Sequence, residues 1–212
     1  MNCLRIPEER IGAVYEGIDH TVFRVSSEPR DFPSPYILFV GPEKPGENVP
    51  TAIRRLGKLK ERRQLRHLKL VKVGKAGGKE ADFRKQTRET VQSHNLDAEV
   101  IFSDSVAKQD SGACYCGADC FVPPLPYEGF RFPPLGPIPC GCPVISSDSS
   151  SLPEVVDWAA IKVLREDVAG LAEVSRKVLI HKQLRKNLPK KGMAQCSQVL
   201  LGTGSGKAAR RL

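Results

Sequence analysis

The sequence predicts an α/β protein in which a Rossmann-like parallel β-sheet carries helices on both faces. Short apolar runs such as Tyr36–Val40 do not alternate with polar residues, which is typical of strands buried on both faces. Segments with apolar residues at helical spacing separate these runs, and strands that alternate with helices form parallel βαβ units. Glycines close the first two runs, at Gly41 and Gly74. Right-handed crossovers then place helices on both sides of the sheet.

The predicted elements follow one another along most of the chain. Strands are predicted at 10–15, Tyr36–Val40, 68–73, 99–103, 120–122, 143–146 and Ala160–Val163. Helices are predicted at 49–65, 80–94 and 166–180. In open parallel sheets, ligands bind outside the carboxyl ends of the strands. The loops of interest therefore follow Val40, Val73, Ser103 and Val122.

Two of the helices show amphipathic patterns. The first places apolar residues at helical spacing, at Val49, Ile53, Leu56 and Leu59 or Lys60. Its predicted outward residues are basic, namely Arg54, Arg55, Lys58 and Arg62. The last helix carries a single stripe, made of Val168, Leu171, Ser175 and Val178. Both patterns predict helices that pack one face against the sheet.

Composition divides the chain into three parts. The segment 26–35 is rich in serine and proline, which indicates a linker, so residues 1–35 are interpreted as a leading segment that ends in this linker. Residues 36–196 contain the alternating elements and form the predicted domain. The tail 197–212 has low complexity and no periodicity, and is predicted to be disordered.

The chain is basic, with a net charge of +9, and its Lys and Arg residues cluster in 54–66 and 182–191. Such clusters bind nucleic acid, an anionic membrane face or a phosphorylated small molecule, although most are simply solvated helix faces. Aromatic residues are few and do not interleave with the clusters, which argues against nucleic acid. We find no apolar run long enough to span a membrane and no secretory signal. A cytoplasmic location is expected, with peripheral contact to the inner membrane face as an open alternative.

Seven cysteines in a cytoplasmic protein are expected to be thiols. Five of them lie close in sequence, at Cys114, Cys116, Cys120, Cys140 and Cys142. Their spacing differs from that of common zinc sites, so buried thiols without metal are expected. A phosphate loop at Gly206-Lys207 is disfavoured, because Leu201 and Ala208 stand where that motif requires Gly and Ser or Thr.

The most informative stretch runs from Ala118 to Leu135. A predicted strand leads into a loop that contains Glu128 and Gly129, and Pro133-Pro134 then suits the start of a helix. Backbone N–H groups at a helix start can face an anion. These residues favour a phosphate-bearing ligand beside a carboxylate, with a structural turn that exposes a glutamate as the alternative.

This stretch resembles a known enzyme family. It reads Ala-Asp-Cys-Phe-Val-Pro-Pro-Leu-Pro-Tyr-Glu-Gly-Phe from Ala118, and Cys-Gly-Cys-Pro-Val-Ile follows from Cys140. Both segments are similar to the C-terminal, nucleotide-sugar-binding domain of retaining two-domain (GT-B) glycosyltransferases, the glycosyl transferases group 1 family of mannosyl- and glucosyltransferases. Residues 10–19 resemble the interdomain crossover of that family. The resemblance covers the chain from about Pro7 to Gln195.

The resemblance implies a hexosyltransferase. It implies transfer of a hexose from a GDP- or UDP-linked sugar to a glycan or lipid acceptor, with retention and without a metal or other cofactor. The partners expected are the nucleotide sugar and a separate acceptor-binding domain, since the chain begins at the crossover-like segment. The implied catalytic residue is Glu128. The implied donor-binding residues are Gly41, Lys44, Asn48, Lys75, Ser103, Val106, Gly129, Phe130 and Arg131.

Within this family resemblance, several positions depart from the pattern. Gly46 and Glu47 stand where the family has a basic pair, and Pro42 replaces an arginine. Arg131 replaces a glycine, and Gly136 replaces a second carboxylate that would accept hydrogen bonds from ribose hydroxyls. A negative charge at Glu47 would oppose the leaving diphosphate. The alternative function is therefore a non-catalytic nucleotide-sugar-binding module or a degenerate remnant.

Overall fold

The computed structural model describes residues 19–26, 32–43, 49–75, 81–122, 136–147, 160–163 and 168–190. Its strands are β1 Tyr36–Val40, β2 Lys69–Val73, β3 Val100–Ser103, β4 Cys120–Phe121, β5 Val144–Ser147 and β6 Ala160–Val163. Its α-helices are α1 Val49–Lys60, α2 Ala81–Ser93, α3 Ser111–Cys116, α4 Val168–Ile180 and α5 182–190. Short 3₁₀ turns lie at Arg63–Leu65 and Lys108–Asp110.

The strands form one parallel sheet in the order β3-β2-β1-β4-β5-β6. The chain therefore builds one half of the sheet outward from β1 and then returns to build the other half from β4. The strand order reverses between β1 and β4, which creates a crevice outside the carboxyl ends of those two strands. The predicted α/β fold with a Rossmann-like parallel sheet is confirmed.

Strand β1 shows why the sheet carries helices on both faces. Its side chains alternate between two hydrophobic clusters, with Ile37 and Phe39 in one and Tyr36 and Leu38 in the other. All four are at most 3% exposed. Burying an apolar side chain of this size stabilises a fold by about 1.5–3 kcal/mol. The continuous apolar run therefore reflects burial on both faces, as predicted.

The two hydrophobic clusters are covered by different elements. The cluster around Ile37 packs under α1 and α4, to which Leu56 and Leu171 belong. The cluster around Leu38 packs under α3 and the segment 19–26, through Tyr115 and Phe23. Helix α1 and helix α4 also lie against each other.

Several predicted elements differ in extent from the observed ones. The first helix ends at Lys60 rather than at 65, and Arg63–Leu65 forms a separate 3₁₀ turn. Helices α3 and α5 were not predicted from the sequence, because their short or polar stretches have weak apolar periodicity. Residues 136–141 form turns instead of the helix expected to start near Pro133, and the strand expected at 10–15 lies outside the described residues.

One predicted orientation was wrong. Arg55 is not outward-facing but 5% exposed, on the side of α1 that faces the core. Burial lowers the pKa of its guanidinium to about 10, and the nearby Cys120 opposes that change. Nε and Nη1 of Arg55 have no hydrogen-bond partner among the described residues. The helical pattern allowed either orientation, because Arg55 lies next to the apolar stripe that contains Leu56 and Leu59.

Candidate functional site

The loops that follow β1, β2 and β3 meet at the carboxyl edge of the sheet. The N–H of Gly41 donates to the carbonyl of Val73 at 2.9 Å, and the N–H of Gly74 donates to the carbonyl of Ser103 at 2.9 Å. Gly74 has a φ of +132°, and a Cβ on it would lie 2.3 Å from the oxygen of Gly41. Only glycine fits at this position, so the first two loops approach each other as closely as backbones can.

A group of charged side chains, Glu43, Lys72, Arg84 and Asp104, lies at these loops. Glu43 and Lys72 are buried, Arg84 is partly buried and Asp104 is exposed. Nζ of Lys72 is 3.0 Å from Oε1 of Glu43, and both side chains are fully buried. Nε of Arg84 is 2.6 Å from the same oxygen, and Nη2 of Arg84 is 2.9 Å from Oδ1 of Asp104. The ammonium of Lys72 also donates to the carbonyl of Gly74 at 2.8 Å. The charged group thus joins α2 to the loops that follow β1, β2 and β3.

The charged group is held mainly by attraction between opposite charges. Nε of Arg84 and both carboxylate oxygens of Glu43 lack a partner with hydrogen-bond geometry in the described part of the chain, although their ion-pair distances are short. Burial lowers the pKa of Lys72, and the ion pair with Glu43 opposes that change. The hydrogen bond from Arg84 lowers the pKa of Asp104. Buried ion pairs of this kind are costly to break because one charge then remains unpaired.

An apolar cavity of about 220 Å³ opens at the carboxyl ends of β1 and β2. It is lined by Phe23, Val40, Val73, Val106, Ser111, Cys114, Tyr115 and Gly136. The rings of Phe23 and Tyr115 lie 6.2 Å apart, and Tyr115 also packs edge-on against Phe121 at 5.4 Å. The cavity therefore offers aromatic and aliphatic surface at the place where α/β sheets bind ligands.

The aromatic rings occupy the space in front of Gly136. A Cβ built on Gly136 would lie 3.2 Å from Cε1 of Phe23 and 3.4 Å from Cε2 of Tyr115. These contacts are tighter than ordinary van der Waals packing, so a larger side chain at Gly136 requires the rings to move. Position 136 therefore has no carboxylate, and the two aromatic rings occupy the space that such a side chain would need.

Cysteines cluster on the side of the cavity near α3. The side chain of Cys140 hydrogen-bonds to that of Cys116, which lowers the pKa of Cys116 to about 6 against the effect of its partial burial. The N–H of Ser26 donates to Sγ of Cys116 at 3.3 Å and lowers this pKa further. Burial raises the pKa of Cys120 to about 12. None of the five described cysteines forms a disulfide, and the described residues contain no His, Cys, Asp and Glu group suited to a metal.

The structure brings together some of the predicted site residues. Gly41 and Ser103 lie in the joined loops, and Val106 lines the cavity. Lys75 is exposed at the end of β2, directly after Gly74. The others, Lys44, Asn48, Glu128, Gly129, Phe130 and Arg131, lie outside the described residues.

Sequence reasoning missed four residues at this edge: Phe23, Glu43, Lys72 and Arg84. A signal existed for Lys72, because it is a charged residue between the apolar residues Val71 and Val73. Such a residue needs a partner when it is buried, and Glu43 lies three residues after the end of the neighbouring strand β1. No local signal identified Phe23, since its contacts with Tyr115 and Gly136 depend on residues about ninety and more than a hundred positions away.

The comparisons with known proteins identify the family. The model of the family described as glycosyl transferases group 1 matches residues 23–195. The chain belongs to this family. The expectation from the resemblance is therefore confirmed at the level of the family.

Relatives of the chain include two mannosyltransferases of Escherichia coli. The serotype-specific mannosyltransferase WbdA is 26% identical over 191 residues, which is 89% of this chain and 23% of the relative. The O-antigen chain mannosyltransferase B is 29% identical over 163 residues, which is 77% of this chain and 42% of the relative. The chain thus spans less than half the length of these relatives.

Solved structures of glycosyltransferases share the fold. Sucrose-phosphate synthase from Thermosynechococcus elongatus has a TM-score of 0.77 at 21% identity, over 88% of this chain and 50% of that one. The C-terminal domain of the group 1 protein LpcC from Francisella tularensis has a TM-score of 0.74 at 20% identity, over 86% of this chain and 97% of that domain. Anabaena HepE, solved in complex with UDP and glucose, has a TM-score of 0.74 at 16% identity, over 87% of this chain and 52% of HepE.

Among the residues that the structure describes, no helix combines the length and the apolar character that crossing a bilayer requires.

Proposed function

We propose that this chain is the donor-binding domain of a hexosyltransferase, and that it binds a GDP- or UDP-linked sugar at the carboxyl edge of its sheet. The observation that carries this proposal is the apolar cavity at the carboxyl ends of β1 and β2, next to the joined loops, in a group 1 chain. In open α/β sheets, ligands bind outside the carboxyl ends of the strands. The reaction is transfer of the hexose, with retention, to a glycan or lipid acceptor.

Named ligands of similar proteins support the donor class. HepE, which shares the fold, was solved with UDP and with UDP-glucose. The curated relatives are named mannosyltransferases, and one is named for the O-antigen chain. A mannose donor and a growing glycan are therefore the substrates to examine first.

The proposed residue roles follow the order of the loops. Glu128 lies beside the hexose, with Gly129, Phe130 and Arg131 next to it. Gly41, Lys44, Asn48 and Lys75 bind the diphosphate. Ser103 and Val106 lie near the base, and Val106 is supported by its place in the cavity wall.

The chemistry proposed here requires stabilisation of a leaving diphosphate. The transition state of glycosyl transfer resembles an oxocarbenium ion, so negative charge accumulates on the departing phosphate. Cationic side chains and backbone amides supply the compensating charge, and the proposal includes no metal or other cofactor. Glu47 opposes this compensation, which weakens but does not abolish donor binding.

Donor binding is the proposed role of residues 36–196, with 1–35 as an interdomain-crossover-like segment; the tail 197–212 lies outside the described residues. The acceptor is bound by a separate domain. The proposed location is the cytoplasm, at the inner face of the membrane when the acceptor is a lipid.

Calorimetric titration of the chain with UDP, GDP, UDP-glucose and GDP-mannose tests the proposal. We expect one nucleoside diphosphate and its sugar to bind. We expect Glu128→Ala to weaken binding of the intact nucleotide sugar by about ten- to a hundredfold, which corresponds to one hydrogen bond to a charged group. Binding of the nucleoside diphosphate should be unaffected. Glu89→Ala, on the exposed face of α2, is the matched control. Failure of all four ligands to bind would contradict the proposal.

A non-catalytic nucleotide-sugar-binding module is the second candidate function. The filled space at Gly136 and the negative charge of Glu47 favour it, because both remove groups that a transferase would use. Donor binding without turnover in the presence of a purified acceptor domain would identify this second function.

A further inference from the structure

Two cysteines beside the cavity lie in contact with each other. Cys116 is the last residue of α3, and Cys140 belongs to the turn that precedes β5. Their side chains hydrogen-bond to each other. The sulfur of Cys140 would also lie 3.7 Å from a Cβ on Gly112, which is one helical turn before Cys116. Cys140 therefore packs on the face of α3 that carries Cys116.

Cys116 is the member of this pair that a reagent in solution can reach. Among the five described cysteines, Cys116 is partly exposed and the other four are buried. Cys140 is 3% exposed, and Cys114 on the same helix is 2% exposed. A small oxidant that approaches the pair therefore meets the sulfur of Cys116 first.

The surroundings of Cys116 favour its negatively charged form. The hydrogen bond from the Cys140 side chain lowers the pKa of Cys116 to about 6, and the N–H of Ser26, which donates to the sulfur at 3.3 Å, lowers it further. In its thiol form Cys116 donates instead to the carbonyl of Arg24, also at 3.3 Å. The thiolate is the form of cysteine that peroxides oxidise, and an accessible thiolate beside a second thiol is typical of redox-sensing sites.

We propose that Cys116 is an oxidation site for hydroperoxides such as hydrogen peroxide, and that Cys140 converts its oxidised form into a reversible Cys116–Cys140 disulfide. In the first step the Cys116 sulfur attacks a peroxide oxygen, the S–O bond forms as the O–O bond breaks, and the released hydroxide takes up a proton to become water. The sulfur is oxidised to a sulfenic acid and the peroxide is reduced. In the second step the Cys140 sulfur attacks the Cys116 sulfur, the S–S bond forms as the S–O bond breaks, and the hydroxide leaves as water with the proton of the Cys140 thiol.

The disulfide changes how the cavity wall is held. Cys116 directly follows Tyr115, and Ser26 lies three residues after Phe23, and the rings of both aromatic residues line the cavity. In the disulfide the N–H of Ser26 no longer has a negatively charged acceptor, and charge-assisted hydrogen bonds are about twice as strong as neutral ones. Oxidation therefore weakens a contact that holds the segment of Phe23, while it joins α3 covalently to the turn before β5.

Peptide mapping of the peroxide-treated chain tests the proposal. The unmodified chain is treated with hydrogen peroxide at neutral pH, and its peptides are analysed by mass spectrometry without reduction. We expect one cross-linked pair of peptides, joined through Cys116 and Cys140, that has lost two hydrogen atoms and separates again on treatment with dithiothreitol. Two free thiols, irreversible oxidation of Cys116 alone, or cross-links scattered over other cysteines would overturn the proposal. Nucleotide binding plays no part in this readout, so the result is independent of the proposed function.

Single substitutions separate the two steps. The variants are treated at about pH 9, above the ordinary thiol pKa, so that Cys116 is ionised with or without Cys140. We expect Cys140→Ala to stop at the sulfenic acid, which dimedone traps on Cys116, and Cys116→Ala to leave the buried Cys140 as a thiol. Cys114→Ala, on the same helix but outside the pair, is the matched control and should still form the cross-link. Thermal unfolding identifies the folded variants, and a dimedone adduct on Cys140 in Cys116→Ala would reverse the assigned roles and overturn the proposal.

Discussion

At the residue scale, the Glu43–Lys72 pair is the most consequential feature that the sequence analysis did not predict. Both side chains are fully buried in a sheet whose neighbouring residues are apolar. The pair therefore contributes less to stability than its charges suggest, because both ions lost their hydration on folding. Its position below Gly74 indicates that it fixes the loops of the candidate site.

Removing one partner of this pair should be costly. We expect Lys72→Met to reduce the free energy of unfolding by about 3–5 kcal/mol, because Glu43 is left buried with fewer compensating charges. The double variant Lys72→Met with Glu43→Gln should recover part of that loss, because the negative charge of Glu43 is then removed together with the positive charge of Lys72. Denaturant unfolding measures both values.

The matched control for Lys72 is Lys69→Met on the same strand. The ammonium of Lys69 reaches the carbonyl of Ala98 at 2.8 Å in an exposed position, so we expect a change below about 1 kcal/mol. A loss at Lys72 no larger than at Lys69 would show that the buried pair does not hold the loops.

Cys116 is the second residue with an unusual environment. Its folded pKa of about 6 is below the ordinary thiol value, because the Cys140 side chain and the Ser26 N–H hydrogen-bond to the sulfur. A group whose pKa is lower in the folded than in the unfolded protein stabilises the fold above its unfolded-state pKa. This stability is lost as the pH falls through its folded-state pKa. The thiolate of Cys116 should thus stabilise the fold at pH 9 and cease to do so below about pH 6.

Alkylation kinetics test this assignment of Cys116. We expect its reaction with iodoacetamide to be half-maximal near pH 6, and Cys140→Ala to move that midpoint towards about 8.5, the ordinary thiol value. Cys120, which is fully buried and has a pKa raised to about 12, is the internal control and should not react in the folded protein. A midpoint near pH 8.5 in the unmodified chain would contradict the lowered pKa of Cys116.

At the element scale, the contact between the β1 and β2 loops depends on Gly74. We expect Gly74→Ala to destabilise the fold, because the new Cβ would overlap the oxygen of Gly41 at 2.3 Å and the φ of +132° is unfavourable for alanine. Nucleotide affinity should fall together with stability, since Gly41 is displaced. Thermal unfolding and the titration described above measure the two effects.

Gly57→Ala in α1 provides the contrast to Gly74→Ala. A Cβ on Gly57 would meet only side chains at 3.7 and 3.8 Å, which is ordinary contact. Replacing glycine by alanine inside a helix should then stabilise the fold by about 0.5–1 kcal/mol. Equal effects at the two glycines would contradict the structural explanation.

At the scale of the whole molecule, the 212 residues correspond to part of each relative. WbdA contains more than four times the stretch that this chain matches, and O-antigen chain mannosyltransferase B more than twice. We expect these residues, tested alone, to bind a donor but to transfer sugar at least about a hundredfold more slowly than the latter relative, because Glu47 opposes the leaving diphosphate and the loss of one transition-state-stabilising group typically has this effect. Transfer of labelled mannose to a purified glycan acceptor measures both rates, and equal rates would contradict the expectation.

The fold was predictable because its determinants are local. Continuous apolar runs such as Tyr36–Val40 are typical of strands that are buried on both faces. Because these runs alternate with helical patterns, they predict a parallel sheet. The short helix α3 was not predictable in this way, because its six residues lie below the length at which periodicity is informative. Gly41, Ser103 and Val106 were placed correctly at the carboxyl edge because strand ends determine where loops lie.

What the sequence by itself determined is therefore the α/β class, the family and the strand ends at which the site is predicted. Only the tertiary structure decided that Arg55 faces inward, that Lys72 pairs with Glu43, and that Phe23 fills the space at Gly136. The physical reason is the sequence separation of the interacting residues. Strand and helix patterns depend on neighbouring residues, whereas a buried charge or a filled cavity depends on side chains that meet only after the chain has folded.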